Sequence, residues 1–324
     1  MSFNGEPGDL YEKIEYEYQT LEFLRHALFK ESTTTDSISI TLGEITGEGR
    51  QIRTHNMAIV ESISAEAVSD ALSQMRPLAF SAAYKLHDML AEWILEANPG
   101  YNSRSMWKFK EKIDFRDRLI AERRFIQPAL FETRQAISEA FWGLYKSLVK
   151  YRNTLTHAGG ASVGPAGELR IVRPSGAPLN MSADQQGAYA RALCLIAKSL
   201  ARGVDLDAYT EAQIETDLFS LSTHHNSRTL RKRVLCTTTL EINVPSAFYR
   251  RNPTSVEIDW AEMRSMLQSS LGPQGDVEVF FSATVILLED EAAVRWVLPF
   301  YAIPVGKVVI AVGDPRFDPY LQRP

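Results

Sequence analysis

Residues Tyr151–Gly160 read YRNTLTHAGG and close a long amphipathic segment. Counting back from them, apolar side chains fall at Leu148, Leu144, Phe141 and Ile137, the three- and four-residue spacing of one buried helical face. Arg152 takes the next position on that stripe, with Leu155 beyond it. A guanidinium in a row of core positions is costly unless an anion meets it. Asn153 and His157 are four residues apart and share the adjacent helical face. Gly159 and Gly160 then stop the helix and leave His157 in its exposed last turn. The segment predicts a helix over Pro128–Thr156, with Pro128 in its first turn. It also predicts a cation, an amide and an imidazole converging at one helix end.

Outward from this helix, the patterning is helical first and β later. Asp9–Lys30 carries Leu10, Ile14, Tyr18, Leu21, Leu24 and Leu28 near helical spacing. Ile38, Ile40 and Leu42 alternate with polar residues, and the Gly47–Gly49 turn leads to a second extended stretch, Gln51–Val60, which together read as a β-hairpin. From Ser64 to Trp93 the period is helical; Pro77 kinks or splits the segment and Asn98-Pro99-Gly100 ends it. Met106–Arg124 reads as a further helix. Between Arg104 and Arg124 lie eight Lys or Arg against four Asp or Glu, and Tyr101, Trp107, Phe109 and Phe115 are interleaved with them. After the short extended piece Leu169–Val172, the helical pattern returns over Ala183–Ala201 and Ala208–Leu221. Val234–Val244, Val277–Leu288 and Ala293–Val312 are β-rich, with a helix inside Val256–Leu271. The fold class is α+β. Residues 1–62 form an N-terminal helix and β-hairpin, 63–224 a helical bundle and 225–324 a C-terminal α+β module.

The motif resembles that of the HEPN superfamily, an Arg commonly followed by Asn, with a His four to six residues downstream. The matching residues are Arg152-Asn153-Thr154-Leu155-Thr156-His157, and the resemblance spans Ser64 to Gly203. It implies an α-helical bundle and metal-independent RNA cleavage at a homodimer interface where two copies of the motif face each other. It also implies a role in toxin–antitoxin or antiviral defence systems, with a separate antitoxin or regulatory protein as a further partner. Some members of the family bind without cleaving. The competing expectation is therefore a non-catalytic HEPN-like module for RNA, a nucleotide or a protein, and a third class is a purely structural scaffold.

The expected reaction is attack of the RNA 2′-hydroxyl on the adjacent phosphorus, leaving a 2′,3′-cyclic phosphate. Imidazole titrates near neutrality and suits proton transfer, the role assigned to His157. The fork of Arg152 suits the developing phosphorane, and Asn153 orients the phosphate or the imidazole. A purely structural account would pair Arg152 with a core carboxylate and make His157 a helix-terminal cation. What meets the guanidinium separates the two accounts.

Other chemistries find little support. Gly159 and Gly164 have P-loop spacing, but Pro165 stands where Lys is required. His224 and His225 are adjacent and project differently, and no C-x-x-C, H-E-x-x-H or G-x-S-x-G occurs, so no metal site and no cofactor is expected. His87-Asp88 has the form of a metal-phosphohydrolase dyad without its companion histidines. The 324 residues have 45% apolar and 23% charged side chains and a net charge of -5, so RNA must be met by local basic patches. Candidates are Arg228, Arg231, Lys232 and Arg233, and Arg250-Arg251 beside Phe248 and Tyr249. Two cysteines, Cys194 and Cys236, fit a reducing compartment. The N-terminus lacks a signal-like apolar core, and Pro299, Pro304 and Lys307 break the longest apolar run, so a cytoplasmic protein without a membrane span is expected.

Overall fold

The computed structural model describes residues 3–29, 36–41, 73–157, 160–225, 227, 229–230, 233–245, 255–270, 277–288 and 294–322. The chain is α+β and divides into two compact units, Met1–Glu31 with Ser62–Lys232 and Ser32–Glu61 with Arg233–Pro324.

The first unit is built from α1 (Pro7–Leu28), α2 (Arg76–Glu96), α3 (Phe109–Ala121), α4 (Ala129–Thr133), α5 (Gln135–His157), α6 (Ala183–Arg202) and α7 (Ala208–Ser220). A small antiparallel sheet, β2 (Ala161–Val163), β3 (Leu169–Ile171) and β4 (Leu179–Met181), fills the connection between α5 and α6. One apolar core joins these elements. Leu10, Ile14 and Leu21 of α1 meet Leu86, Leu90 and Ile94 of α2, Ile137 to Leu148 of α5 and Leu193 to Leu200 of α6. Local chemistry marks the helix ends. Ser182 and Gln185 form a reciprocal capping box at α6, at 3.1 Å each way, and Gly203 closes that helix with φ of 62°. Asp207 caps α7 by accepting from the Tyr209 and Thr210 amides at 3.1 and 3.0 Å.

Three expectations change here. The helix expected over Pro128–Thr156 is broken at Arg134, whose backbone leaves the helical region at φ -122° and ψ 69°. Its guanidinium reaches Glu211 at 2.8 Å and Asp205 at 2.7 Å, a tertiary tie that local periodicity does not encode. Pro128 caps α4, and α5 begins at Gln135. Pro77 lies in the first turn of α2 and starts that helix, where the missing amide costs no hydrogen bond. The segment 1–62, expected as one piece, is shared between the units: α1 packs against α2 and α6, whereas β1 (Asp36–Thr41) pairs in parallel with β5. The second arm of the expected hairpin, Gln51–Val60, lies outside the described residues, as does Ser64–Leu72.

The second unit holds a sheet of order β1-β5-β7-β8-β10, formed with β5 (Val234–Pro245), β7 (Val277–Leu288), β8 (Val294–Leu298) and β10 (Leu321–Gln322). The β1–β5 and β5–β7 pairs are parallel, and the β7–β8 and β8–β10 pairs antiparallel. Between β5 and β7 the chain passes through β6 (Ser255–Asp259) and α8 (Trp260–Ser270), and β6 pairs with β9 (Lys307–Ala311). Alternate residues of β7, namely Val279, Phe281, Ala283, Val285 and Leu287, are buried with Trp260 and Trp296. No helix among the described residues is long and apolar enough to cross a membrane.

Candidate active site

The apolar stripe of α5 is buried as its spacing requires: Ile137, Phe141, Leu144 and Leu148 are all 1% exposed or less. Arg152 continues the stripe and is half-buried. Its guanidinium lies over the Phe109 ring at 5.2 Å and donates to the Asn153 side-chain oxygen at 3.4 Å. Among the described residues no carboxylate comes within ion-pairing distance of it, so the positive charge sits against a ring and an amide, uncompensated by an anion.

The end of α5 is held from several sides. Thr154 is buried and donates to the Lys150 carbonyl at 3.0 Å, Thr156 donates to that of Arg152 at 3.1 Å, and the Tyr151 hydroxyl reaches the Ala177 carbonyl at 3.3 Å. Beyond the helix, Gly160 lies so close to Val172 that a Cβ there would stand 2.5 Å from the Val172 carbonyl oxygen. The small sheet is thereby pressed against the helix end, and His157, the last residue of α5, stays exposed.

Arg152, Asn153 and His157 line one open cleft of about 870 Å³. Lys146, Lys150, Asn153 and His157 form a polar stripe along α5, at spacings of four, three and four residues. The facing wall is the N-terminal part of α3 and the residues before it, with Trp107, Lys108, Phe109, Lys110 and Asp114. Lys110 and Lys150 have no carboxylate partner among the described residues. Lys146 meets Asp117 at 3.0 Å, and Lys108 lies 3.7 Å from Glu111.

Asp88 of α2 also lines the cleft. Its Oδ1 accepts from the Tyr145 hydroxyl at 2.5 Å and from the Lys112 ammonium at 2.8 Å. Burial first, and then the Asp88 charge, drive the Tyr145 phenol far above its ordinary value, so it serves as a donor. Lys112 is nearly inaccessible and also holds Glu92 at 2.7 Å. Burial raises the Glu92 carboxyl, but Lys112 and then Lys13 outweigh it and leave it below the ordinary carboxylate range. The interior cation of α3 is thus neutralised by two carboxylates.

The remaining candidate residues fall elsewhere. Arg233 belongs to the second unit and makes a two-pronged bond to Glu278 at 2.8 and 2.7 Å, while Arg228, Arg231 and Lys232, like Arg250 and Arg251, lie outside the described residues. The basic helix is shorter than expected, Phe109–Ala121, and two of its cations are internal. Lys112 is paired as above, and Arg116 stacks on Trp142 at 4.7 Å. His87 is a core residue: it is fully buried, its Nδ1 is 2.9 Å from the Tyr189 hydroxyl, and burial holds its imidazole down to about 3. His225 is buried with its Nε2 2.8 Å from the Leu218 carbonyl. Among the described residues no group of three metal-ligating side chains converges.

Sequence reasoning passed over Asp88 as a cleft residue, and it passed over Lys146 and Lys150. The two lysines were visible in principle: the periodicity used for the apolar stripe, applied to polar residues, places them in line with Asn153 and His157. No family model matches this chain, and no curated protein or solved structure matches it.

Proposed function

We propose that this cleft is a HEPN-like endoribonuclease site that cleaves RNA without a metal ion. The observation that carries the reading is the Arg152 guanidinium, half-buried beside Asn153 and without a carboxylate partner among the described residues, in a lysine-lined cleft that also holds His157. A phosphodiester supplies the missing anion, and Lys110 and Lys150 attract the flanking phosphates. The 2′-hydroxyl proton passes to a base, the 2′-oxygen forms a bond to phosphorus, the bond from phosphorus to the 5′-oxygen breaks, and that oxygen takes up a proton. Imidazole is suited to either proton transfer, while Arg152 and Asn153 hold the phosphorane charge.

Among the described residues lining the cleft, His157 is the one imidazole. A single imidazole serves poorly as base and acid in the same step, which favours a homodimer bringing a second copy of the motif to the same phosphate. On this reading the chain is a cytoplasmic ribonuclease, acting as a toxin or antiviral effector and restrained by a separate antitoxin or regulatory protein. The test is incubation of the purified chain with mixed RNAs in EDTA, beside a His157→Ala control. Cleavage by the wild type alone, with cyclic-phosphate ends, supports the site. A wild-type chain that is inert on every RNA class, or that requires Mg²⁺, leaves a non-catalytic HEPN-like binding module in its place.

A further inference from the structure

Four aromatic residues are interleaved with the basic run before and within α3, and the structure sorts them in an informative way. Tyr101 and Phe115 pack edge to face at 5.5 Å, and Phe109 packs against Tyr84 at 5.6 Å and Tyr145 at 6.2 Å. Met106 also packs against the core. Trp107, between Met106 and Phe109, is 69% exposed. It immediately precedes Lys108, the residue that caps α3. An apolar residue at that position ordinarily packs against the fourth residue of the helix, which here is the buried Lys112. The indole thus has no staple to make. Its ring carries the Lys108 ammonium at 5.4 Å, and it lines the cleft that contains the motif.

Exposing an indole costs hydrophobic free energy that the fold does not recover. The position is therefore informative. Phe109 lies directly under the Arg152 guanidinium. Trp107 is two residues upstream, a reach of at most roughly 7 Å along an extended backbone. An aromatic face lining the same cleft as the Arg152 guanidinium is the arrangement that accepts a base splayed out beside its own phosphate.

We infer that Trp107 is a stacking platform for an unpaired base next to the phosphate held by Arg152, so that the substrate of this cleft is single-stranded RNA. The inference rests on the reading of the cleft as an RNA site. A base inside a duplex is stacked on its neighbours and cannot offer its face to the indole, so the platform discriminates against paired RNA without reading sequence. Trp107 is a positioning residue: it touches a base and takes no part in the proton transfers.

The other four tryptophans, Trp93, Trp142, Trp260 and Trp296, are all 6% exposed or less, so quenching by acrylamide reports mainly on Trp107. The experiment uses the full-length His157→Ala chain, which leaves RNA intact on the proposed mechanism. It is titrated with a short oligoadenylate strand and with the same strand annealed to oligouridylate. Anisotropy of a label on the RNA measures binding separately. The expected result is that the single strand binds and shields the indole from acrylamide, and the duplex does not. Trp107→Leu should weaken single-strand binding on the order of tenfold, and Trp107→Phe should restore most of it. In the chain with His157 intact, Trp107→Leu should raise KM far more than it lowers kcat.

A strand that binds while acrylamide access stays unchanged overturns the stacking role and leaves the cleavage site standing. Equal shielding by the duplex, or wild-type affinity in Trp107→Leu, does the same. Shielding by single strands from a wild-type chain that cleaves no RNA upholds the platform and removes the nuclease. Absence of binding to either RNA overturns the platform, and cleavage of mixed RNAs by the wild type then decides the nuclease separately.

Discussion

Lys112 on α3 and Arg152 on α5 are both drawn toward the interior of the first unit, and their surroundings differ completely. Lys112 is 3% exposed and lies within 2.8 Å of Asp88 and 2.7 Å of Glu92. Arg152 is half-buried and has the Phe109 ring, the Asn153 amide and an open cleft. Behind the cleft, positive charge is cancelled within the chain. At its wall, Arg152, Lys110 and Lys150 have no carboxylate partner among the described residues. Arg152 is only half-buried and faces an open cleft, so its charge is tolerated without an internal partner, and on the proposed reading an anionic ligand meets it there.

The contrast makes stability and function separable. The largest expected effect is on cleavage: His157→Ala should lower the rate on the order of a hundredfold or more, as removal of a general acid–base group does. Asn153→Ala should cost less, because an orienting amide brings no charge to the transition state. Single-turnover assays with an end-labelled RNA in EDTA measure both. Equal losses in the two variants would break the distinction between charge and orientation.

Next in size is the stability of the interior cation. Lys112→Met should destabilise the chain by roughly 2 kcal/mol, since the Asp88 and Glu92 carboxylates lose their shared ammonium; some solvent access at both carboxylates keeps the cost below that of a fully buried pair. Arg152→Met should change stability by less than about 1 kcal/mol, because no carboxylate partner among the described residues is left behind. Urea unfolding of the two variants side by side is the check, and a greater loss in Arg152→Met would invert the account.

A pH effect of similar size comes from the core. His87 stays neutral in the fold because burial holds it down to about 3, whereas in the unfolded chain it takes up a proton below about 6.5. The unfolded state therefore binds more protons in that window. Stability rises with pH there and falls as pH drops from about 6.5 toward 3, by up to roughly 1.4 kcal/mol per unit. His87→Phe should flatten the slope of unfolding free energy between about pH 6 and about pH 5. An unchanged slope would show that His87 does not set it. The smallest effect belongs to the cleft rim: Lys150→Gln should reduce the salt dependence of single-strand binding by about 0.7 in the log–log slope. No reduction would return Lys150 to an ordinary solvated lysine.

The legible parts of the molecule are those set by neighbours in the chain. The α5 stripe from Ile137 to Leu148, the cap at Ser182 and Gln185 and the alternation of β7 follow from spacing alone. So does the exit of His157 at a helix end, because Gly159 and Gly160 follow two and three residues later. Other features depend on partners far away in sequence. The break at Arg134 answers to Asp205 and Glu211, and the parallel pairing of β1 with β5 joins Asp36 to Thr238. The burial of Lys112 requires Asp88 and Glu92 on another helix, so a charge-rich run looked like a basic face when part of it is interior. Arg152 was legible as an anomaly, but whether a carboxylate answered it depended on tertiary structure.

The account stands or falls on what answers Arg152, and one comparison addresses that directly: the single-turnover rate of RNA cleavage in EDTA by wild type and Arg152→Ala, each shown by urea unfolding to be folded. The account predicts cyclic-phosphate products from the wild type and a rate on the order of a hundredfold lower in the variant, at nearly equal stability. A folded Arg152→Ala chain that cleaves as fast as the wild type would contradict it.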